Sequence, residues 1–142
     1  MQNDRLQYNP AFEWTGGGLA VSSADLVRWA RQLYTGQAFS EPYLQDLFAS
    51  AATGSPDARY GPGVGIRGHG MSVSYGHTGS IPGYRSGLRY FPASQLAVAA
   101  QINTDTDDEH VFPAAVEAAL KAEEILTAAS GGQHTSITVR CP

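Results

Sequence analysis

Apolar residues recur at helical spacing from Leu26 onward, with Leu26, Trp29, Ala30, Leu33 and Tyr34 on one face. Ser22 followed by Asp25 three residues later is a capping-box pattern, so a helix is expected to begin there and to stop at Gly36. A second, shorter helix is expected from Glu41 to about Ala51, with Ser40 as its cap and Tyr43, Leu44, Leu47 and Phe48 facing inward. The period then changes. Tyr60-Gly61-Pro62-Gly63-Val64-Gly65-Ile66 reads as one Gly-rich strand whose proline suits an edge or a strand start. Gly68-His69-Gly70 is the turn into an alternating run, Ser72 to Tyr75, that continues into Gly76-His77-Thr78-Gly79. Pro82-Gly83 turns the chain into a strand from Tyr84 to Phe91, and Pro92-Ala93-Ser94 turns it into a strand over Gln95 to Asn103. In that last strand Leu96, Val98, Ala100 and Ile102 alternate, which suits one buried face.

Helical spacing returns in Phe112, Ala115, Val116, Ala119, Leu120 and Leu126, predicting a third helix from about Val111 to Ala128. Connections this short make antiparallel neighbours. The expected fold class is therefore α+β: a meander of three to four antiparallel strands with helices laid on one face. Residues 1–142 form a single domain in this reading. Residues 1–13 are irregular, and 130–142 form a mobile tail apart from a strand-like pattern over Ser136 to Val139.

Composition narrows the partners. At 142 residues the chain can bury one core but is short for two. Charged residues make up only 15%, against a usual share of about 25%, which suggests a surface partly covered by something else. A net charge of −4 with no Lys/Arg cluster argues against nucleic acid or an anionic membrane as partner. The N-terminus has no apolar core of a signal peptide, and no run approaches membrane-spanning length, so a soluble chain without an export signal is expected. The one cysteine, Cys141, allows no internal disulfide and lies in the expected tail, where a catalytic role is the poorer reading. The four histidines are scattered, so neither a metal nor another cofactor is expected.

Chemistry concentrates in His77-Thr78-Gly79. A polar tripeptide ending in glycine on a strand lets a ligand lie against the backbone, within reach of main-chain N–H groups. The bland alternative for His77 is a strand histidine with no task. Other chemistries fare worse. No Gly-x-Ser-x-Gly elbow occurs, and no Gly-Lys-Ser/Thr follows the glycines of 76–83. Asp105 to His110 lacks the alternating ligands and central glycine of a calcium loop and reads as a solvated helix entry. Trp14, Trp29 and the tyrosines are most simply core or rim aromatics.

Two segments, taken together and in order, resemble a known family. They are Gly16-Gly17-Gly18-Leu19-Ala20-Val21-Ser22-Ser23-Ala24-Asp25-Leu26, opening a helix, and Tyr75-Gly76-His77-Thr78-Gly79 with Pro82-Gly83-Tyr84. They resemble the C-terminal part of the serine β-lactamase and penicillin-binding superfamily, most closely its class C-like branch of β-lactamases, D-alanyl-D-alanine carboxypeptidases and esterases. The resemblance runs from about Pro10 to about Leu126. It implies that His77-Thr78-Gly79 is the third motif of that family, on a strand at the edge of the active site. His77 and Thr78 would contact a substrate carboxylate or tune the proton network, and Gly79 would permit close approach. The backbone N–H of Ser80 would be an oxyanion-hole donor, with Gly83 and Tyr84 on the substrate side of the cleft.

The sequence also departs from the family. The nucleophile motif is Ser-x-x-Lys, yet the only lysine is Lys121 and the residue three before it is Ala118. The second motif, Tyr-x-Asn or Ser-x-Asn, is missing too, since Tyr8-Asn9 has the wrong spacing. The expectation is a C-terminal portion of a serine hydrolase acting on a small-molecule or peptide acyl substrate, inactive by itself. The alternatives are a non-catalytic ligand-binding module, or an element that completes a site in trans. An exposed strand edge would serve a homodimer or a companion chain.

Overall fold

The helix expected at Ser22 forms, and it is fixed at its N-terminus twice over. The computed structural model describes residues 9–104 and 110–129. In it, helix α1 spans Ser23–Tyr34, and the N-cap Ser22 accepts a hydrogen bond from the Asp25 backbone N–H. Further along the chain, strand β6 (Leu96–Ile102) supplies Gln101, whose amide donates to the Val21 carbonyl at 3.0 Å. The other end of that amide, Oε1, accepts from the Ser23 hydroxyl at 2.9 Å. Gln101 thus ties the helix entry to the sheet.

Helix α2 is shorter than expected, Tyr43–Phe48, with Pro42 at its N-cap. Beyond Phe48 the chain is drawn into strand β1, Ala51–Ala52, which pairs with β2, Ala58–Gly61. Tyr43 lies outside the core at 63% exposure, while Leu47 and Phe48 pack against it as expected. The Gly-rich segment after it is two strands rather than one. Pro62-Gly63 makes a tight turn between β2 and β3 (Val64–Arg67), with Gly63 at φ +76 and Gly61 paired to Val64. Proline presets φ for the first turn position and glycine takes the left-handed one, so the segment folds back on itself. That hairpin and β1 raise the count to a six-stranded meander, β1-β2-β3-β4-β5-β6, with β4 at Ser74–Ile81 and β5 at Tyr84–Phe91. All pairings are antiparallel.

The helices cover both faces of the sheet, not one. The register aligns Ile66, Tyr75, Tyr90 and Ala97 in a row across β3 to β6. Tyr34 of α1 stacks on Tyr90, ring centroids 5.7 Å apart, and tilts against Tyr75 at 5.6 Å, with Phe48 closing the cluster 4.5 Å from Tyr75. Burial pushes the Tyr34 phenol up to about 12. On the opposite face Leu96 and Val98 pack against Ala119, Val116 and Leu120 of α3, Val111–Ala129. The reason lies in β6, where Leu96, Ala97 and Val98 are all buried, so each face of that strand needs its own cover. Leu126 of the expected stripe and the tail beyond residue 129 lie outside the described side chains.

The aromatic expectations divide. Trp29 is half exposed at 47% and Trp14 is 82% exposed, so neither is core. Trp14 follows a single 3-10 turn, Pro10–Glu13, within the stretch read as irregular.

At Gly87 a side chain of α3 lies against the strand backbone. A Cβ there would stand 2.4 Å from the Phe112 ring, so the ring of Phe112 rests directly on the β5 backbone. Gly87→Ala is expected to lower stability by about 1–3 kcal/mol through this overlap. Thermal unfolding checks it, and an unchanged midpoint would contradict the packing described.

Candidate active site

Strand β4 outruns its neighbour. Its pairing with β3 covers only Ser74, Tyr75 and Gly76, whereas its pairing with β5 continues to Ile81. His77, Thr78, Gly79 and Ser80 therefore have a strand on one side only, and all four are exposed. This follows from the turn at Pro62-Gly63, which starts β3 at Val64 and leaves nothing to pair with β4 beyond Gly76. Gly76 itself must be glycine, because a Cβ there would meet the Leu88 carbonyl oxygen at 1.9 Å. Gly79 lies opposite Ser86, whose hydroxyl would be 2.5 Å from a Cβ at that position. The absence of a side chain at Gly79 thus serves the contact with β5 as well as any approach of a ligand.

His77 is held by two hydrogen bonds. Its Nδ1 lies 2.6 Å from the Thr78 carbonyl oxygen, and its Nε2 lies 2.6 Å from the Tyr60 hydroxyl. A carbonyl oxygen only accepts, so Nδ1 carries the proton. In the neutral ring Nε2 then accepts from the Tyr60 O–H. The two rings meet edge to face, 5.6 Å apart at 70°. Tyr60 opposes Gly65, and Gly65 opposes Gly76, so no side chain stands between Tyr60 and β4 in that row. Tyr60 remains 47% exposed. The sequence reading placed Tyr60 on a strand without a role. Its distance from His77 in sequence and the intervening hairpin gave no local sign of the contact.

The motif residues do not converge on one space. Thr78, Gly79 and Ser80 line a cavity of about 690 Å³ that lies between the sheet and α3, while His77 does not line it. Successive strand residues alternate in direction, and this accounts for the division between His77 and Thr78. Pro82-Gly83 forms the β4–β5 turn, with Gly83 at φ +83, and Tyr84 opens β5 opposite Ile81. Gly83 and Tyr84 stand next to the open edge and outside the cavity lining. Among the described residues no cluster of three or more metal-ligating side chains occurs. No described helix is long and apolar enough to cross a membrane.

An antiparallel meander sandwiched between helices, with a His-Thr-Gly strand that overruns its neighbour, defines the class as a serine β-lactamase or penicillin-binding type of fold. The family model described as Beta-lactamase matches residues 2–123, and the chain belongs to that family. Among solved structures, a D-stereospecific amidohydrolase from Streptomyces sp. aligns at TM-score 0.66 and 23% identity, over 75% of this chain and 33% of its own. A penicillin binding protein from Bacillus halodurans aligns at TM-score 0.60 and 25% identity, over 69% of this chain and 30% of its own. A D-amino acid amidase from Ochrobactrum anthropi, solved with D-phenylalanine, aligns at TM-score 0.59 and 22% identity, over 75% and 37%. The chain thus spans about a third of the length of these structures. A search of curated proteins found no match.

The His77 geometry makes a spectroscopic prediction. With its ring neutral, His77 should populate the Nδ1–H tautomer, and Tyr60→Phe should release part of the population to Nε2–H while costing at most about 1 kcal/mol of stability. Long-range ¹⁵N–¹H correlation spectra report the tautomer directly. A wild-type His77 wholly in the Nε2–H form would refute the hydrogen-bond pattern.

Proposed function

We propose that this chain supplies one wall of a class C-like acyl-transfer site, with the serine nucleophile and its lysine carried by polypeptide outside these 142 residues. The single observation behind this is the overrun of β4, which presents His77 to Ser80 on an open backbone edge. A substrate backbone laid along such an edge meets main-chain donors and acceptors as an added strand would. In the reaction a serine attacks an amide, lactam or ester carbonyl, an acyl-enzyme forms, and water releases the product.

Within that reading each motif residue has a task. The Ser80 N–H is one donor to the oxyanion, a contact whose loss typically costs about 10²–10³-fold in rate. Thr78 takes the substrate carboxylate, and Gly79 keeps the approach to the backbone clear. His77 tunes the proton network, a role supported by its fixed tautomer and by the bond to Tyr60, which adds a second titratable group. Gly83 and Tyr84, beside the open edge, border the substrate side. Carboxypeptidase, esterase and lactamase activities all fit this wall.

Without Ser-x-x-Lys the chain by itself has no activated serine. Intact mass after incubation with a reactive β-lactam, and separately with an activated ester, is expected to stay unchanged. A stoichiometric acyl adduct mapped to a serine would show that a nucleophile lies within these residues and would overturn the proposal.

The same open edge favours a second reading, association of two copies by pairing of their β4 strands. Light scattering should then show a dimer that accumulates with concentration. A monomer at every concentration tested would rule this association out.

A further inference from the structure

Tyr60 and His77 are arranged as a nucleophile and its base. The Tyr60 hydroxyl lies 2.6 Å from His77 Nε2, and the other ring nitrogen, Nδ1, lies 2.6 Å from the Thr78 carbonyl oxygen. Because that carbonyl only accepts, Nδ1 keeps its proton and Nε2 turns its lone pair to the phenol. A hydroxyl, a base within hydrogen-bond reach and a third group that orients the base are the parts of an activated nucleophile. A phenol also gives up its proton more readily than an aliphatic alcohol, so the demand on the imidazole is smaller than for a serine.

Tyr60 is 47% exposed and His77 is exposed beside it, so an electrophile can approach the phenol oxygen from solvent. The Tyr60 ring is also held in place. It meets the His77 ring edge to face at 70°, and it sits in the register row of Gly65 and Gly76, which put no side chain in its path. The residues across from the pair, Ala51 and Gly65 for Tyr60 and Leu88 for His77, bear no ionisable group. The charged neighbour on β2 is Arg59, and an arginine keeps its charge throughout the titration of a histidine. The pair is thus the titrating unit of its row.

We infer that Tyr60 is a nucleophile in its own right, with His77 as its general base, and that it takes up a sulfonyl-type group to give a stable aryl ester. In the step the phenol oxygen forms a bond to sulfur and the bond from sulfur to the leaving group breaks. The Tyr60 proton passes to His77 Nε2 and on to water, and no atom changes oxidation state. A carboxylic acyl group on the same oxygen would be an aryl ester, itself activated towards hydrolysis, and would not accumulate. A sulfonate ester persists. The inference goes beyond the acyl-transfer reading and does not rest on it, since neither a Ser-x-x-Lys serine nor the Ser80 N–H takes part.

The test treats the whole 142-residue chain with phenylmethanesulfonyl fluoride and maps the adducts by peptide mass. Tyr60 should be labelled at least about tenfold faster than Tyr43, although Tyr43 is the more exposed at 63%. The Tyr60 rate should fall as pH is lowered through the His77 titration, followed by the imidazole signals, and level off above it. An ordinary phenol is instead labelled ever faster as pH rises and phenolate forms. His77→Phe keeps a ring against Tyr60 but no base. It should slow Tyr60 by at least about tenfold and leave the Tyr43 rate unchanged, which checks that the fold survives. Equal labelling of Tyr60 and Tyr43, a Tyr60 rate that climbs with pH without a plateau, or a rate untouched by His77→Phe would each overturn the assignment. A serine adduct in place of Tyr60 would overturn it as well and would also count against the missing serine nucleophile, whereas an adduct on Tyr60 leaves the acyl-transfer reading as it stands.

Discussion

The packing of Tyr34 against the row Ile66-Tyr75-Tyr90-Ala97 joins helix α1 to strands β3 to β6. It is the contact on which the placement of the site depends. Each aromatic pair contributes about 0.5–1.5 kcal/mol beyond the area it buries. The cluster also fixes register: shifting β4 by one residue would turn Tyr75 away from Tyr34 and send His77 to the opposite face. With register set here, β4 can leave its β3 partner after Gly76 and still hold its course against β5.

From that overrun comes the exposure of the motif, and from the alternation along the strand comes its division. His77 turns to Tyr60 on a hairpin reached across two glycines, while Thr78 and Ser80 open into the space under α3. The fold therefore offers two chemically different environments on one strand. One is a histidine hydrogen-bonded through both ring nitrogens at an open edge. The other is a cationic, largely apolar cavity behind it. The first is the one that the acyl-transfer proposal uses, and it lies within the stretch that matches the Beta-lactamase family. The second comes from Arg67, Arg85 and Arg89, which line it together with apolar side chains of β5 and α3.

Glycine placement connects the two. Gly76 and Gly87 are required by contacts with the neighbouring backbone and with Phe112, so the sheet is thin at those points. That thinness lets Arg89 lie flat and lets α3 approach the sheet. Gly63 and Gly83, by contrast, serve the turns that set where β3 begins and where β4 ends.

Local signals in the sequence were enough for the helix at Ser22, for β5 and β6 to within a residue, for the α3 stripe and for the His-Thr-Gly strand. Each of these rests on a periodicity or a cap confined to a few neighbouring residues, which is the range at which sequence pattern and backbone geometry are directly coupled. What needed the tertiary structure was relational. The split of the Gly-rich segment into a hairpin was carried by Pro62-Gly63, but short strands rich in glycine have weak alternation, so the turn signal alone did not separate them. The burial of both faces of β6 could not be read from Leu96 and Val98, because the small Ala97 between them marks a face only when something packs there. Tyr60 beside His77, and Arg89 beside Arg67, are pairs from different strands. Such contacts are decided by which strands become neighbours and in what register, and by the glycines that clear the space between them; the residues themselves, read in order, carry no trace of it.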